Sequence, residues 1–293
     1  MTPVLSDGTA ISGSALFSVI VRYDLVPIPA SLEMLIKSAF DVGNRLSVGS
    51  IVTVLGIEFE VVKCEKVTQA DQQTGTPVRA LKIIALHAGC VAAGYVRKTA
   101  IIKENTSLAE VYSAAGAKVR ISGADFIIPR FSCLVGQIPT YGIQRALHEV
   151  AGGVRIKNRK LEFLRLQDAI AADPFLLQGA NAASVESEFL ERSEVPTFFA
   201  TDAAGALVVG DSSVARRMSY AHGRGQAELY SMSKVLIHAG PHKMPLNVDI
   251  SAGDCVVPIT TQKRMLVITA VHAANYSNQA GPDLSTTLYT GVL

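Results

Sequence analysis

The residues best suited to chemistry in this sequence are two histidines spaced four apart, His238 and His242. On a helix that spacing could hold a zinc ion, but the Gly-Pro dipeptide between them excludes a helix. A loop could still bring both imidazoles to one ion, together with Asp249 or Asp254. We expect instead two solvent-facing loop histidines and no metal site.

A second pair, Cys133 and His148, could form a thiolate and imidazole, which is one arrangement of a catalytic nucleophile. Cys133 lies in an apolar stretch typical of a strand, which does not resemble a nucleophile context. The Gly-Arg-Gly tripeptide at 223–225 is too short for a phosphate-binding loop. Asp168 and Asp173 lie around a predicted helix end, where a capping or surface role is typical. The sequence therefore predicts no catalytic residue, no cofactor and no enzyme activity.

Two further groups could contact a partner. His272 follows an apolar β-like run and could be a pH-sensitive contact, although we expect a partly buried, hydrogen-bonded histidine. Arg216 and Arg217 stand beside Met218 and Tyr220 and could anchor a partner protein. A plain surface loop is the simpler interpretation of that segment.

The composition restricts the classes of function. The apolar fraction is 49% and the charged fraction only 18%, which fits either a surface covered by partners or a large core. The net charge of +2 provides no field that would attract nucleic acid, and the basic run at 155–160 is expected to be a solvated hairpin tip. The 4 cysteines form no CxxC pair, so we expect free thiols in a reducing compartment.

Segments that would direct the chain to a membrane are not expected. The first residues lack the basic start and apolar core of a signal peptide. No apolar run reaches the roughly 18 residues that a membrane-spanning helix needs.

Two distant stretches of the chain share one design. One runs Gly49-Ser50-Ile51-Val52 and the other Gly253-Asp254-Cys255-Val256. Each continues as two β-rich runs joined by a short turn. The pattern predicts two similar β-barrel modules, with these candidate wall residues: Ile51, Val52, Val54, Val256 and Val257.

The middle of the chain favours helices and a hairpin. Residues 141–151 predict a helix with Ile143, Leu147 and Val150 on its buried face, ended by the glycine pair at 152–153. Residues 108–116 predict a second, capped helix, and 167–173 a short third one. A β-hairpin is predicted around Asn158. Other predicted strands include 14–24, 78–87, 131–135, 187–193, 228–238, 264–272 and 285–292.

Some segments are less regular. Residues 30–40 fit a helix or a strand equally, 67–77 and 180–187 read as loops, and 218–225 as a glycine-containing break. The resulting fold class is mainly β with a few helices, an α+β chain with two barrel-like modules. Its expected domains are an N-terminal module at 1–100, a central α/β region at 101–180 and a C-terminal module at 181–293.

This order of elements resembles the baseplate hub proteins of contractile-tailed phages and the hub part of secretion-system spike proteins. Three regions carry the resemblance: Val26-Pro27-Ile28-Pro29 with the stretch from Gly49, the helix at 141–153 with the Asn158 hairpin, and the stretch from Gly253 to His272. The resemblance implies a homotrimer whose two modules per chain form a pseudo-sixfold ring. It implies a structural protein of the phage virion, made in the host cytoplasm. Implied partners are a tail tube protein, the central spike protein and other baseplate proteins, with DNA passing through the channel without specific binding.

Two other classes of function remain open from the sequence. A metal-dependent hydrolase acting on cell-wall polymer would need paired carboxylates or a metal site in a cleft, and the His238 and His242 pair near Asp249 is its only clue. A β-rich module that binds sugars or single strands would need exposed aromatic residues. The chain has no Trp and only 6% aromatic residues, which disfavours that class.

Overall fold

The computed structural model describes residues 1–37, 45–70, 77–119, 121–123, 125–178, 195–212, 216–260, 262–277 and 281–293. Strands dominate these residues and helices are few and short. The predicted class, a mainly β chain with a few helices, is confirmed. The predicted linker at 180–187 and the predicted strand at 187–193 lie outside the described residues.

In the described residues, strands form most of the N-terminal and C-terminal parts of the chain; three of the helices lie in the middle, and α4 lies among the C-terminal strands. The N-terminal strands are β1 (Val4–Leu5), β2 (Leu16–Asp24), β3 (Ala30–Lys37), β4 (Ile51–Val54), β5 (Ile57–Ala70) and β6 (Pro77–His87). The central elements are β7 (Ile101–Ser107), α1 (Leu108–Ala114), β8 (Ile121–Gly123), β9 (Ile127–Cys133), α2 (Pro139–Glu149), β10 (Gly152–Lys157), β11 (Lys160–Arg165), α3 (Leu166–Ala171) and β12 (Phe175–Leu177). The C-terminal elements are β13 (Thr197–Thr201), β14 (Leu207–Val209), β15 (Met218–Tyr220), α4 (Gln226–Met232), β16 (Ile237–Pro245), β17 (Cys255–Pro258), β18 (Met265–Ser277) and β19 (Gly281–Val292).

Among the residues described, 11 strands form one large sheet that contains elements from both ends of the chain. Its path runs β1-β4-β5-β6-β3-β2-β18-β17-β12, with β19 paired to β18 and β16 paired to β19. The antiparallel pairing of β2 with β18 joins the N-terminal strands to the C-terminal ones. The described part of the chain also forms smaller sheets outside this path, which are β10-β11-β8, β14-β13-β15 and β7-β9.

The large sheet contains the same four-strand unit twice. We call β3 to β6 the N-terminal repeat and β16 to β19 the C-terminal repeat. Both follow the same chain order and pair antiparallel in the same spatial order, β4-β5-β6-β3 and β17-β18-β19-β16. The similarity of the two stretches in the sequence therefore reflects a repeated sheet topology.

The turn that begins each repeat's second strand is the same in hydrogen-bond detail. The Gly49 N–H donates to the Val61 carbonyl at 2.8 Å, and the Val61 N–H donates back to the Ser50 carbonyl at 2.9 Å. The Gly253 N–H donates to the Val267 carbonyl at 2.8 Å, and the Val267 N–H donates back to the Asp254 backbone carbonyl at 2.9 Å. The two glycines have φ of +90° and +80°, a conformation that favours glycine over residues with a Cβ.

The core lies beneath the sheet and is filled by alternate residues of its strands. Of the predicted wall residues, Val52, Val54 and Val256 are fully buried, whereas Ile51 and Val257 are half-buried on the other face. This alternation is what a strand with one covered face produces.

Helix α2 packs on this core as predicted. Ile143 and Leu147 are buried, and Val150 is half-buried. The helix ends earlier than predicted, because Val150 is its C-cap and Ala151 takes the positive φ of +48°. The following glycines already belong to β10.

The predicted hairpin and the predicted N-terminal cap of α1 are confirmed. Asn158 and Arg159, with φ of +51° and +61°, form the two-residue turn between β10 and β11. The Ser107 side chain accepts from the Glu110 backbone N–H at 3.2 Å, which caps α1.

Three local predictions are wrong. Residues 228–238 do not form one strand, because α4 occupies Gln226–Met232 and β16 begins at Ile237. The Glu228 carboxylate accepts from the Gly225 N–H at 2.9 Å, and this contact stabilises the start of the helix. Residues 67–70 of the predicted loop at 67–77 belong to β5, while 71–76 lie outside the described residues. The segment predicted as a break contains β15, parallel to β13.

Candidate functional site

The central hairpin β10-β11 meets the C-terminal repeat through a buried carboxylate. Asp254, whose side chain is only 7% exposed, accepts from Arg155 Nη1 at 3.0 Å and from Lys157 Nζ at 2.7 Å. Its other oxygen accepts from the Ser251 backbone N–H at 2.9 Å. Arg155 Nη1 also donates to the Gly253 carbonyl at 3.1 Å. The contact therefore connects the hairpin to the turn that starts β17.

The same hairpin contacts the N-terminal repeat at its tip. The Arg159 guanidinium lies so close to Gly56, in the β4-β5 turn, that a Cβ there would be 2.5 Å from Arg159 Cζ. A cavity of about 440 Å³ beside the hairpin is lined by Tyr23, Ile57, Phe175 and Val248 as well as hairpin residues. The hairpin thus contacts both repeats and fixes them relative to each other.

The prediction of a solvated hairpin tip at 155–160 holds for residues 158–160, which are exposed, but is wrong for Arg155. Arg155 Nε pairs with Glu162 at 2.6 Å in addition to its bond with Asp254, and its side chain is only 17% exposed. A basic run in the sequence could not reveal its acidic partner, because Asp254 is 99 residues from Arg155. The one available signal was the change from Ser50 to Asp254 between two otherwise similar turns.

The structure does not bring the candidate metal ligands together. His238 and His242 lie in strand β16 rather than in a loop, His238 exposed and His242 buried at 3% exposure. Burial lowers the pKa of His242. Within the described residues, no group of three His, Cys, Asp or Glu side chains could hold a metal ion. The expectation of two solvent-facing loop histidines is therefore wrong, and Pro241 is tolerated because β16 lies at the sheet edge.

Cys133 and His148 each have surroundings that do not suit a thiolate and imidazole pair. Burial raises the pKa of the Cys133 thiol, although nearby Arg97 opposes that change, so the thiolate is not the favoured form at neutral pH. His148 Nε2 is 2.9 Å from the Met232 carbonyl, and its ring packs edge-on against Phe198. His148 therefore joins α2 to α4 and to the small sheet.

The remaining candidate residues from the sequence lie at helix ends, in an ion pair or on an exposed strand. Asp168 lies in the first turn of α3, and Asp173 is exposed beyond its end. Arg224, from the Gly-Arg-Gly tripeptide, forms an ion pair with Glu149 at the end of α2. Met218 and Tyr220 are about half-exposed on β15, beside Arg217.

His272 is fully buried in β18, more deeply than expected. Its Nδ1 atom lies 2.9 Å from Thr286 Oγ1. Burial lowers its pKa from 6.5 to about 4, with a small opposing contribution from the Ile250 backbone. The imidazole is therefore neutral at pH 7 and packs as an uncharged ring in the core.

Exposed apolar groups mark surfaces that could meet other molecules. Two neighbouring loops, joined by the Arg97 N–H to the Gln137 carbonyl at 2.9 Å, expose four large side chains. These are Tyr95, Val96, Leu134 and Val135, each at least 50% exposed. Contiguous exposed apolar groups of this kind are typical of protein interfaces. No helix of the described residues is long and apolar enough to cross a membrane.

The fold defined by this doubled sheet and its central helix and hairpin is that of phage tail proteins. It matches a tail protein from Neisseria meningitidis MC58 with a TM-score of 0.65 and 10% identity, over 99% of this chain and 95% of the other. It matches the 43 kDa tail protein of prophage MuSo2 from Shewanella oneidensis with a TM-score of 0.64 and 13% identity, over 99% and 97%.

The same fold occurs in an E. coli component of the type VI secretion system, described as similar to the T4 bacteriophage tail proteins gp27 and gp5. That match has a TM-score of 0.52 and 9% identity, over 94% of this chain and 73% of the other. No protein-family model matches the sequence, and no curated protein matches it. The predicted resemblance to tail hub proteins is thus confirmed for the fold.

Proposed function

We propose that the protein is a structural hub of a phage tail baseplate. Three copies form a ring in which the N-terminal and C-terminal repeats alternate, so that six similar units surround a channel. The observation that carries the proposal is the doubled sheet topology inside a fold shared, over nearly the whole chain, with phage tail proteins.

The internal repeat would allow a trimeric ring to match partners of two different symmetries. A sixfold tube and a threefold spike cannot both be matched by identical surfaces unless each of three subunits repeats a unit internally. The partners in this proposal are the tail tube protein, the central spike protein and other baseplate proteins. DNA passes through the channel without specific binding, in keeping with the low net charge of +2.

The domain division in this proposal follows the hub resemblance, with modules at 1–100 and 181–293 around a central region at 101–180. The central hairpin supports it, because it contacts the turns of both repeats. The protein acts through its shape and contacts, and it works in the virion after synthesis in the host cytoplasm.

Mass in solution and the symmetry of single particles test the proposal. We expect a particle of three times the 31.1 kDa chain mass, with threefold symmetry and six similar units in projection. Mixing with a tail tube protein of the same phage should give a larger complex. A stable monomer at micromolar concentration, with no complex in the presence of that tube protein, would contradict the proposed ring.

A further inference from the structure

The two repeats differ in what covers their matching edges. In the C-terminal repeat, β18 residues 269–275 pair with β2. On its other side β2 pairs with β3 of the N-terminal repeat. Strand β2 is therefore the joint between the two repeats within one chain.

The counterpart of this β18 edge is the second half of β5. Both strands have a register shift at the same place, between Val61 and Lys63 in β5 and between Val267 and Thr269 in β18. Counting on from the shift, residues 63–69 correspond to 269–275. Among the residues that the structure describes, no strand pairs with this edge of β5.

The exposure of the two edges confirms the difference. Thr269 and His272 are buried beneath their neighbours, whereas their counterparts Lys63 and Lys66 are exposed. Of the segment before β4 the structure describes residues 45–50, and these reach this edge through the Cys64 thiol, which donates to the Leu46 carbonyl at 3.7 Å, rather than through a paired strand.

A matching open edge lies on the other repeat. Strand β16 corresponds to β3, but in the described part of the chain it pairs only with β19. Where β2 precedes β3 in the chain, helix α4 precedes β16, and α4 packs on α2, β13 and β14. Within the described ranges, the C-terminal repeat therefore has no strand of its own at the position that β2 takes beside β3.

We propose that these two open edges meet between copies: β16 of one subunit lies against residues 63–68 of β5 in the next. This inference rests on the proposed trimeric ring and names the strands that close it. The contact joins two different surfaces, so it repeats head to tail and closes after three copies when the rotation allows. Joints through β2 within a chain then alternate with joints through β5 and β16 between chains.

The prolines of β16 favour this pairing over pairing of β16 with itself. A proline in a strand cannot donate to the ladder, so Pro241 and Pro245 take positions whose nitrogen faces away from β19. The outer edge of β16 thus presents mainly carbonyl acceptors, and two such edges would set acceptors against acceptors. Residues 63–68 of β5 contain no proline and supply N–H donors.

Cysteine cross-linking of the full chain tests the contact. The double variant Val67→Cys with Lys243→Cys is made in a Cys64→Ser background, because Cys90, Cys133 and Cys255 are buried. A short bis-maleimide is added, and the products are separated under denaturing conditions. We expect most of the chain in covalent dimer and trimer bands. The matched control replaces Lys243→Cys by Leu207→Cys, which is exposed on β14.

Mass in solution of the same samples separates this inference from the proposed function. A trimeric mass with cross-links confined to the β5 and β16 pair supports both. A trimeric mass with no more cross-linking than the Leu207→Cys control overturns the strand contact and leaves the trimer. A monomeric mass overturns the ring and this contact together.

Discussion

The N-terminal and C-terminal repeats place different residues at the same position of the same turn. Ser50 Oγ accepts from the Ser47 backbone N–H at 3.0 Å, and Asp254 Oδ2 accepts from the Ser251 backbone N–H at 2.9 Å. The backbone needs only an oxygen acceptor there, and either side chain provides one. The carboxylate adds a charge, which in the C-terminal repeat binds the central hairpin.

Matching strand positions differ in the same way. Met34 of β3 and His242 of β16 both lie opposite the last strand of their repeat, at Ile83 and Leu288, and both are buried. The comparison teaches that the topology fixes which positions are buried, while the neighbouring elements decide which side chains those positions carry. The following changes test that rule.

The largest effect is expected from Asp254→Ala. The change removes the carboxylate that Arg155 and Lys157 share; Arg155, 17% exposed, keeps its pair with Glu162, but Lys157, 31% exposed, loses its ion pair. We expect the free energy of unfolding to fall by about 3–4 kcal/mol, because removing one partner of a mostly buried pair leaves uncompensated charge. The matched Ser50→Ala change removes one neutral hydrogen bond and should cost about 1 kcal/mol. Urea denaturation at a fixed protein concentration measures both; equal losses would show that the carboxylate does not bind the hairpin.

The next effect concerns acid. The pKa of His272 is lowered from 6.5 to about 4 in the folded protein. Below pH 6.5 the unfolded chain therefore binds a proton that the folded chain does not, and stability falls as the pH drops from 6.5 to 4. The contribution is about 3 kcal/mol, since each pKa unit corresponds to about 1.4 kcal/mol.

Replacing His272→Gln should remove that part of the pH dependence, measured by denaturation at pH 7, 6 and 5. His87, whose pKa is also lowered to about 4 by burial, keeps a residual slope. The exposed His238→Gln change is the control and should leave the slope as it is. An unchanged slope in the His272 variant would mean that its imidazole is not buried in a neutral form.

A third effect separates the two turn glycines. Gly49→Ala and Gly253→Ala both place a Cβ at positive φ, which costs about 1–2 kcal/mol. At Gly49 the Cβ meets nothing within 4 Å, whereas at Gly253 it would lie 2.9 Å from Leu164 and 3.0 Å from Arg155. We expect about 1–2 kcal/mol for the first change and about 2–4 kcal/mol for the second. Thermal melts compare them; a smaller loss at Gly253 would contradict the close packing of the hairpin on the turn.

The sequence predicted those parts of the molecule that local signals determine. The two glycine turns, the apolar stripe of α2 and the Asn158 hairpin all rest on residues a few positions apart. The pairing of β2 with β18 could not be predicted this way, because it joins Asp24 to Thr269 across the whole chain. The contact of Asp254 with Arg155 was missed for the same reason.

Helix α4 shows a local signal that gave the wrong answer. Leu229, Val235 and Ile237 are separated by even numbers of residues, so they would lie on one face of a strand, and this pattern favours a strand. The fold places Leu229 in the core against Gly210 and lets α4 pack on α2. These tertiary contacts override the alternation, and they are made by residues that the sequence does not place next to one another.

The smallest effect, His242→Met, has the opposite sign to the others. His242 is 3% exposed, and neither ring nitrogen has a hydrogen-bond partner among the described residues. The counterpart residue, Met34, fills its position without a polar group. Removing an unsatisfied buried polar group should raise the free energy of unfolding by about 1 kcal/mol at pH 7. The gain should grow as the pH falls towards 5, since burial lowers the pKa of His242 and protonation favours the unfolded chain.

The reciprocal change, Met34→His, is the control for this last comparison. It places an imidazole at the matching buried position of the N-terminal repeat and should destabilise the protein, more so at pH 5 than at pH 7. Denaturation of both variants and the parent at the same protein concentration gives the two signs. If His242→Met also lost stability, the imidazole would have a partner outside the residues that the structure describes. Because β16 pairs only with β19 among the described residues, a neighbouring subunit of the proposed ring would be the first place to look for that partner.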